Sequence, residues 1–157
     1  MSSPFQKGMN VAYRLLARRD RSILEIREAL KKRDFEEDTI KEVISRLVDD
    51  GYLNDRKFAT LYGSSLSRNR KVGPNYIMNK LIKKGVDRKL ADEAIAEIFS
   101  NPEDTENQLH SLIEKKMSRM KDGLSPIHIK KRLYDFLAGK GFGSDAILKA
   151  INKRKLF

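Results

Sequence analysis

The chain contains no cysteine, and its 157 residues include only two histidines and four prolines. Without a thiol there can be no disulfide, no thiolate nucleophile and no zinc–thiolate cluster. The two histidines, His110 and His128, stand eighteen residues apart on different predicted helices. Neither has the i, i+4 partner of a helical metal site, so both are read as surface residues. No apolar run approaches the length of a membrane span, and the first residues lack the basic-then-apolar order of a secretory signal. A cytoplasmic location is the expectation that follows. A glycine-rich phosphate loop is also missing: Gly139-Lys140-Gly141-Phe142-Gly143 lacks the spacing and the Lys-Ser/Thr ending such a loop requires. No nucleophile and base stand in a recognisable order. These absences argue against an enzyme, and no metal or cofactor is expected.

What the sequence does contain is a repeat. Leu30-Lys31-Lys32-Arg33-Asp34-Phe35 returns as Leu81-Ile82-Lys83-Lys84-Gly85-Val86 and again as Leu137-Ala138-Gly139-Lys140-Gly141-Phe142. Apolar residues follow each anchor at the same offsets: Ile40, Val43 and Ile44, then Ala91, Ala94 and Ile95, then Ile147, Ala150 and Ile151. A unit of this size cannot bury its own apolar stripe, so neighbouring copies are expected to stack.

Helix-start signals recur in step with the anchors. Ser22, Gly73 and Ser125 take the N-cap place, and Pro74 and Pro126 follow at the first helical position, where a missing N–H is no loss. Pro126 lies farther ahead of Leu137 than Pro74 does of Leu81, so the third copy gains one helical turn. Gly85 and Gly141 end the second helix of their copies in the left-handed conformation, and Asp34 holds that place in the first. Ile40, Val43, Ile44 and Leu47 mark a third helix by their i, i+3, i+4, i+7 spacing. Phe58, Leu61 and Tyr62 mark the first helix of copy two, and Leu109, Leu112, Ile113 and Met117 that of copy three. Glu36, Glu37 and Asp38 read as acids at a positive helix terminus. The expected fold is all-α, about nine helices in three tandem three-helix repeats at 1–53, 54–100 and 101–157, forming an elongated, curved helical stack.

The net charge of +11 is unevenly spread. Residues 12–53 carry ten Lys/Arg against ten Asp/Glu, residues 54–100 ten against five, and residues 101–157 twelve against seven. An excess of this kind points to nucleic acid or an acidic assembly, through neutralised phosphates and released counterions. Arg18, Arg19 and Arg21, then Arg68, Arg70 and Lys71, then Arg119 and Lys121 fall near the corner between the first and second helices of each copy. Stacking would align these corners along one edge, with Lys83, Lys84, Lys130, Lys131 and Arg132 as further candidates. Tyr62, Tyr76 and Tyr134 could stack on unpaired bases where exposed.

The stretch Gly51-Tyr52-Leu53-Asn54-Asp55-Arg56-Lys57-Phe58-Ala59, followed by Gly73-Pro74, Ile77, Leu81 and Lys84-Gly85-Val86, resembles the central signature of bacterial RecX regulatory proteins. Ala12-Tyr13-Arg14-Leu15-Leu16-Ala17-Arg18-Arg19 is similar to the opening of that family's first repeat. Asn54, where an acid is common, and the extra turn of copy three depart from the pattern. The resemblance implies a modulator of the RecA recombinase that binds its filament on single-stranded DNA. It further implies limits on filament extension, ATP hydrolysis and strand exchange in DNA repair, recombination and the SOS response. Tyr52, Leu53 and Phe58 are expected to pack between copies one and two, with Asp55 capping the helix that carries Phe58. High charge without coiled-coil heptads favours a monomer. Two other readings fit the charge: a stand-alone DNA-binding protein with helix-turn-helix-like repeats, and a scaffold whose basic face only solubilises it.

Overall fold

In the computed structural model, which describes residues 2–154, each of these start signals opens a helix. The first repeat comprises α1 (Pro4–Arg18), α2 (Ile23–Lys32) and α3 (Glu37–Asp49). The second comprises α4 (Asp55–Arg70), α5 (Pro74–Lys83) and α6 (Arg88–Ile98), and the third α7 (Pro102–Met117), α8 (Pro126–Gly139) and α9 (Ser144–Lys153). Among the described residues there is no strand. The caps are the expected ones: Ser22 Oγ accepts from Glu25 N while Glu25 returns the bond to Ser22 N, and Ser125 Oγ accepts from His128 N. Each satisfies amide groups that a helix leaves open at its first turn. With 14 residues against 10 in α5, α8 carries the extra turn.

The helices cluster into two compact units: the chain up to Leu61 together with Leu81–Ala94, and Tyr62–Lys80 together with the chain from Ile95 on. The first unit is built on Met9 and Ala12 of α1, Ile26 and Leu30 of α2, and Ile40, Val43, Ile44 and Leu47 of α3, closed by Leu53. The second is built on Leu109, Leu112 and Ile113 of α7, Leu133 and Leu137 of α8, and Ile147 and Ile151 of α9, with Phe142 between them. Removing such side chains from water contributes about 1.5–3 kcal/mol each. In the second unit Gly63 lets helices approach: a Cβ there would lie 2.6 Å from Ile98 Cδ1 and 3.1 Å from Ile77 Cγ2.

Each unit contains one joint in which the start of a second helix meets the end of the next repeat's second helix. In the first unit Ser22 Oγ donates to Lys84 O at 2.6 Å, beyond the last residue of α5. Ser22 is fully buried by this contact. A neighbouring amide, Ile23 N–H, donates to Asp55 Oδ1 at 2.9 Å. In the second unit Gly73 N–H donates to Lys140 O at 2.8 Å and Asn75 N–H to Gly141 O at 2.9 Å. Both joints bring open amides or a capping hydroxyl to open carbonyls, so each satisfies the ends of two helices at once.

The joints also explain the glycines. Gly85 and Gly141 have φ of +82° and +95°, and Asp34 reaches +63°. At the two glycines conformation is only half of the requirement. A Cβ on Gly85 would stand 2.5 Å from Leu24 Cβ, and one on Gly141 would stand 2.5 Å from both Cβ and N of Tyr76. Asp34 is exposed, and a Cβ is tolerated there.

Two sequence expectations change. Asp55 is not the cap of α4: Asn54 is, its Oδ1 accepting from Lys57 N–H at 3.0 Å. Asp55 is the first helical residue, and its carboxylate is spent on the joint instead. Tyr52 is not buried between repeats. It is 56% exposed and meets Tyr13 edge-on, ring centroids 5.3 Å apart. Leu53 and Phe58 are buried as expected, whereas Leu61 faces solvent.

Candidate nucleic-acid interface

In the first unit the candidate cations gather around one carboxylate. Glu25, on α2, accepts from Arg19 Nη2 at 2.5 Å and from Lys84 Nζ at 3.4 Å. Burial opposes its ionisation, but the hydrogen bonds from Arg19 and Ser22 N–H and the charges of Arg19 and Lys84 outweigh burial and hold the carboxyl below its usual range. Arg21 Nε reaches back to Leu15 O at 3.3 Å, covering an open carbonyl at the end of α1. Three of the cations expected to face a ligand are thus engaged within the fold. Arg18 and Lys83 are exposed and form no ion pair among the described residues.

Asp55, at the same joint, shows the opposite electrostatics. Burial raises its carboxyl above the ordinary value, the bond from Ile23 N–H only partly offsets this, and the charge of Glu25 adds to the rise.

The second unit presents its cations differently. A groove of about 610 Å³ is lined by Arg70, Val72, Tyr76, Asp135, Phe136, Gly139 and Lys140. Arg70 Nη1 donates to the Tyr76 hydroxyl at 3.4 Å, and Lys80 Nζ lies 5.4 Å from the centre of the same ring. Phe136 carries Lys116 Nζ at 5.0 Å and Lys140 Nζ at 5.8 Å from its centre. Such contacts contribute about 0.5–1 kcal/mol each and fix the ammonium without neutralising it. The hydrogen bond from Arg70, with the charges of Lys80 and Arg70, draws the Tyr76 hydroxyl below its usual pKa. Four cations held on two aromatic side chains can neutralise phosphates while losing little side-chain freedom.

Arg70 and Tyr76 are the sequence-singled residues that this groove contains. Lys71 adjoins it with a left-handed φ of +52°, and Arg68 Nε turns back to Ser64 O at 3.4 Å. Arg119 and Lys121 are exposed beyond the end of α7, Lys131 is paired with Asp135 at 2.9 Å, and Arg132 is exposed with Lys130 half-buried. Tyr62 and Tyr134 are half-buried. Lys80 and Lys140 escape the sequence reading because each is a single lysine outside any cluster of like charge, Lys116 because it lies within α7 ahead of the corner cations, and Phe136 because it is uncharged. Their signal is an aromatic followed four residues later by lysine, Tyr76 to Lys80 and Phe136 to Lys140, one helical turn apart.

A second cavity, about 770 Å³, lies between α7 and α9 and includes Pro74, Leu109 and Phe142. Its cations are internally paired: Lys149 and Lys153 both bind Glu106, at 3.3 and 3.0 Å, and Arg154 binds Glu114. Among the described residues no helix is long and apolar enough to cross a membrane, and no group of His, Asp or Glu is placed to hold a metal. The cluster Glu36, Glu37 and Asp38 opens α3 as expected, with Arg27 donating to Glu37 at 2.7 Å.

Three family descriptions match the chain in sequence order. "RecX, first three-helix domain" covers residues 9–47, "RecX, second three-helix domain" residues 54–95, and "RecX, third three-helix domain" residues 103–151. The "Regulatory protein RecX" of Listeria welshimeri is 33% identical over 154 residues, covering 94% of this chain and 55% of that protein. Its counterpart in Bacillus subtilis is 34% identical over 148 residues, with the same shares covered. The chain therefore spans about half the length of the curated relatives it matches. The crystal structure of RecX from Lactobacillus salivarius aligns with a TM-score of 0.90 at 28% identity, over 98% of each chain.

Proposed function

The chain belongs to the RecX family of regulatory proteins, and on that premise we propose that it binds the RecA filament on single-stranded DNA and limits filament extension, ATP hydrolysis and strand exchange. The relatives are named as regulatory proteins, not as enzymes. The observation that carries the reading is the groove lined by Arg70, Tyr76, Phe136 and Lys140, with Lys80 and Lys116 set on the same two rings. It suits a nucleoprotein, which offers phosphates, unpaired bases and acidic protein surface side by side.

Residues 1–53, 54–100 and 101–157 act in this reading as three repeats, each adding a weak contact along a filament whose subunits recur at fixed intervals. Linked contacts raise avidity far above that of any one of them, so a monomer in the cytoplasm can engage several subunits. Arg68, Lys71, Arg119 and Lys121, in the same unit, would extend the groove's field at the corners, and Arg18 would serve the first repeat's own contact.

The test is the rate of ATP hydrolysis by RecA on single-stranded DNA as this protein is titrated from far below the RecA concentration, with binding to DNA alone measured at the same salt. Inhibition at a small fraction of the RecA concentration is expected. No inhibition at equal concentration, together with tight binding to DNA alone that falls steeply with salt, would establish a stand-alone DNA-binding protein instead.

A further inference from the structure

The third repeat lacks two apolar side chains that help to fill the first. Counted from the anchors, where Phe142 takes the place of Phe35, Ile147 and Ile151 match Ile40 and Ile44, and all four isoleucines are buried. At two other positions of the same helix the copies part: Val43 becomes Ala150, and Leu47 becomes Arg154. In the first unit Val43 and Leu47 are wholly buried, and Val43 lies so close to α1 that a Cβ on Gly8 would stand 2.9 Å from its Cγ2. In the second unit Ala150 and Arg154 instead line the cavity of about 770 Å³ between α7 and α9, together with Leu109 and Phe142. Aliphatic side chains at those two places would fill part of that space.

An arginine at the place of a core leucine is costly for stability alone. The side chain of Arg154 is only 17% exposed, and its Nε is buried with no acceptor among the described residues. A charged group with an unsatisfied donor opposes folding, where a leucine would favour it. The guanidinium is nevertheless held in place at the cavity, Nη1 lying 3.0 Å from His110 Nδ1 and Nη2 pairing with Glu114. Lys149 and Lys153, one helical turn apart on α9, line the same cavity and share the single carboxylate of Glu106. Among the described residues these three cations thus meet two acids, and one positive charge is left over. Apolar walls with surplus positive charge beside them are complementary to a molecule that is apolar over most of its length and anionic at one end. The volume suits a small molecule, whose sites span about 300–1,000 Å³.

We propose that this cavity binds a small amphipathic carboxylate, whose apolar part lies against Leu109, Phe142 and Ala150 and whose acid group takes the surplus charge of Arg154, Lys149 and Lys153. Removal of apolar surface from water drives such binding, and charge-assisted hydrogen bonds select the anion. The cavity shares no lining residue with the aromatic groove, so this site stands apart from the filament reading.

The probe is decanoate, titrated into the full chain by calorimetry below the concentration at which it forms micelles, with decyltrimethylammonium as the chain-matched cation. Saturable binding of decanoate is expected, with the cation weaker by about tenfold or more. In the wild-type chain the amide NMR signals of Leu109, Ala146 and Ala150, which line the cavity, should shift as decanoate is added. The double variant Ala150→Val with Arg154→Leu restores the residues of the first repeat. It is expected to keep its helical content by circular dichroism and to bind decanoate about tenfold more weakly or less. No saturable binding, equal affinity for the two probes, amide shifts confined to residues outside the cavity, or undiminished binding by the folded double variant would each overturn the site. The shift map is made on the wild-type chain, so it decides whether or not the variant folds.

Discussion

The two joints use the same helix ends and different chemistry. In the first, side chains make the contact: the hydroxyl of Ser22 on Lys84 O, the carboxylate of Asp55 on Ile23 N–H, and Glu25 holding Lys84. In the second, backbone meets backbone, Gly73 N–H on Lys140 O and Asn75 N–H on Gly141 O. The absence of side chains is what permits this: a Cβ on Gly73 would lie 2.6 Å from Gly141 O. Pro74, lacking an N–H, has no use for an acid in the place of Asp55. A joint made by side chains is open to titration and substitution. A joint made by backbone tolerates no added atom, and the cations around it remain available to a ligand.

The largest effect expected is at Gly141. Gly141→Ala combines a clash with Tyr76 and a side chain at φ +95°, together on the order of 3 kcal/mol, seen as a lower midpoint in urea unfolding. Two residues earlier Gly139→Ala meets nothing within 4 Å and should be neutral or stabilising by up to about 1 kcal/mol. Equal losses at both positions would remove the joint from the explanation.

Next in size is the pair of capping serines. Ser22→Ala removes a cap and leaves Lys84 O without its buried donor, a loss of about 2 kcal/mol. Ser125→Ala removes only an exposed cap and should cost about 1 kcal/mol or less. Thermal melts of the two variants side by side check the order.

A smaller effect separates Glu25 from Asp55 by pH. Glu25 titrates below its usual value in the folded chain, so it contributes stability at neutral pH that is lost as pH falls through its folded pKa. Asp55 titrates above its usual value, so its contribution is fully present below the unfolded pKa and is lost as pH rises through the folded one. The two therefore oppose each other in the acid range. Melts between pH 3 and 7 should show a flatter acid limb for Glu25→Gln and a steeper one for Asp55→Asn. Both variants should lie within about 1 kcal/mol of wild type at pH 7.

Much of this was legible in the chain itself. The helices, their caps and the left-handed residues 34, 85 and 141 follow from local preferences that each repeat states separately. The joints do not, because Ser22 and Lys84, or Gly73 and Lys140, are far apart in sequence and their pairing has no local signal. The same limit misplaced Asp55, whose residue type suits a cap while its partner is an amide in another repeat. Tyr52 misled because an aromatic beside a buried leucine reads as core, although the fold turns it to solvent. At the groove, counting clusters of like charge found Arg70 but passed over Lys80 and Lys140, which are single lysines set on rings, and Lys116, which lies inside α7 ahead of the corner.

The most direct measurement is the affinity of RecA filaments on single-stranded DNA for two triple charge reversals compared with wild type. One is Arg70→Glu, Lys80→Glu and Lys140→Glu, at the groove and its two rings, and the other is Lys31→Glu, Arg33→Glu and Lys41→Glu, exposed cations of the first repeat. Each variant changes net charge equally. With each groove contact worth about 1 kcal/mol, the first should lose about a hundredfold. The second should stay within about threefold of wild type, because exposed cations that are not part of the groove contribute only a screened, general attraction. An equal loss in both, or none in the groove variant, would contradict the assignment of filament binding to that groove.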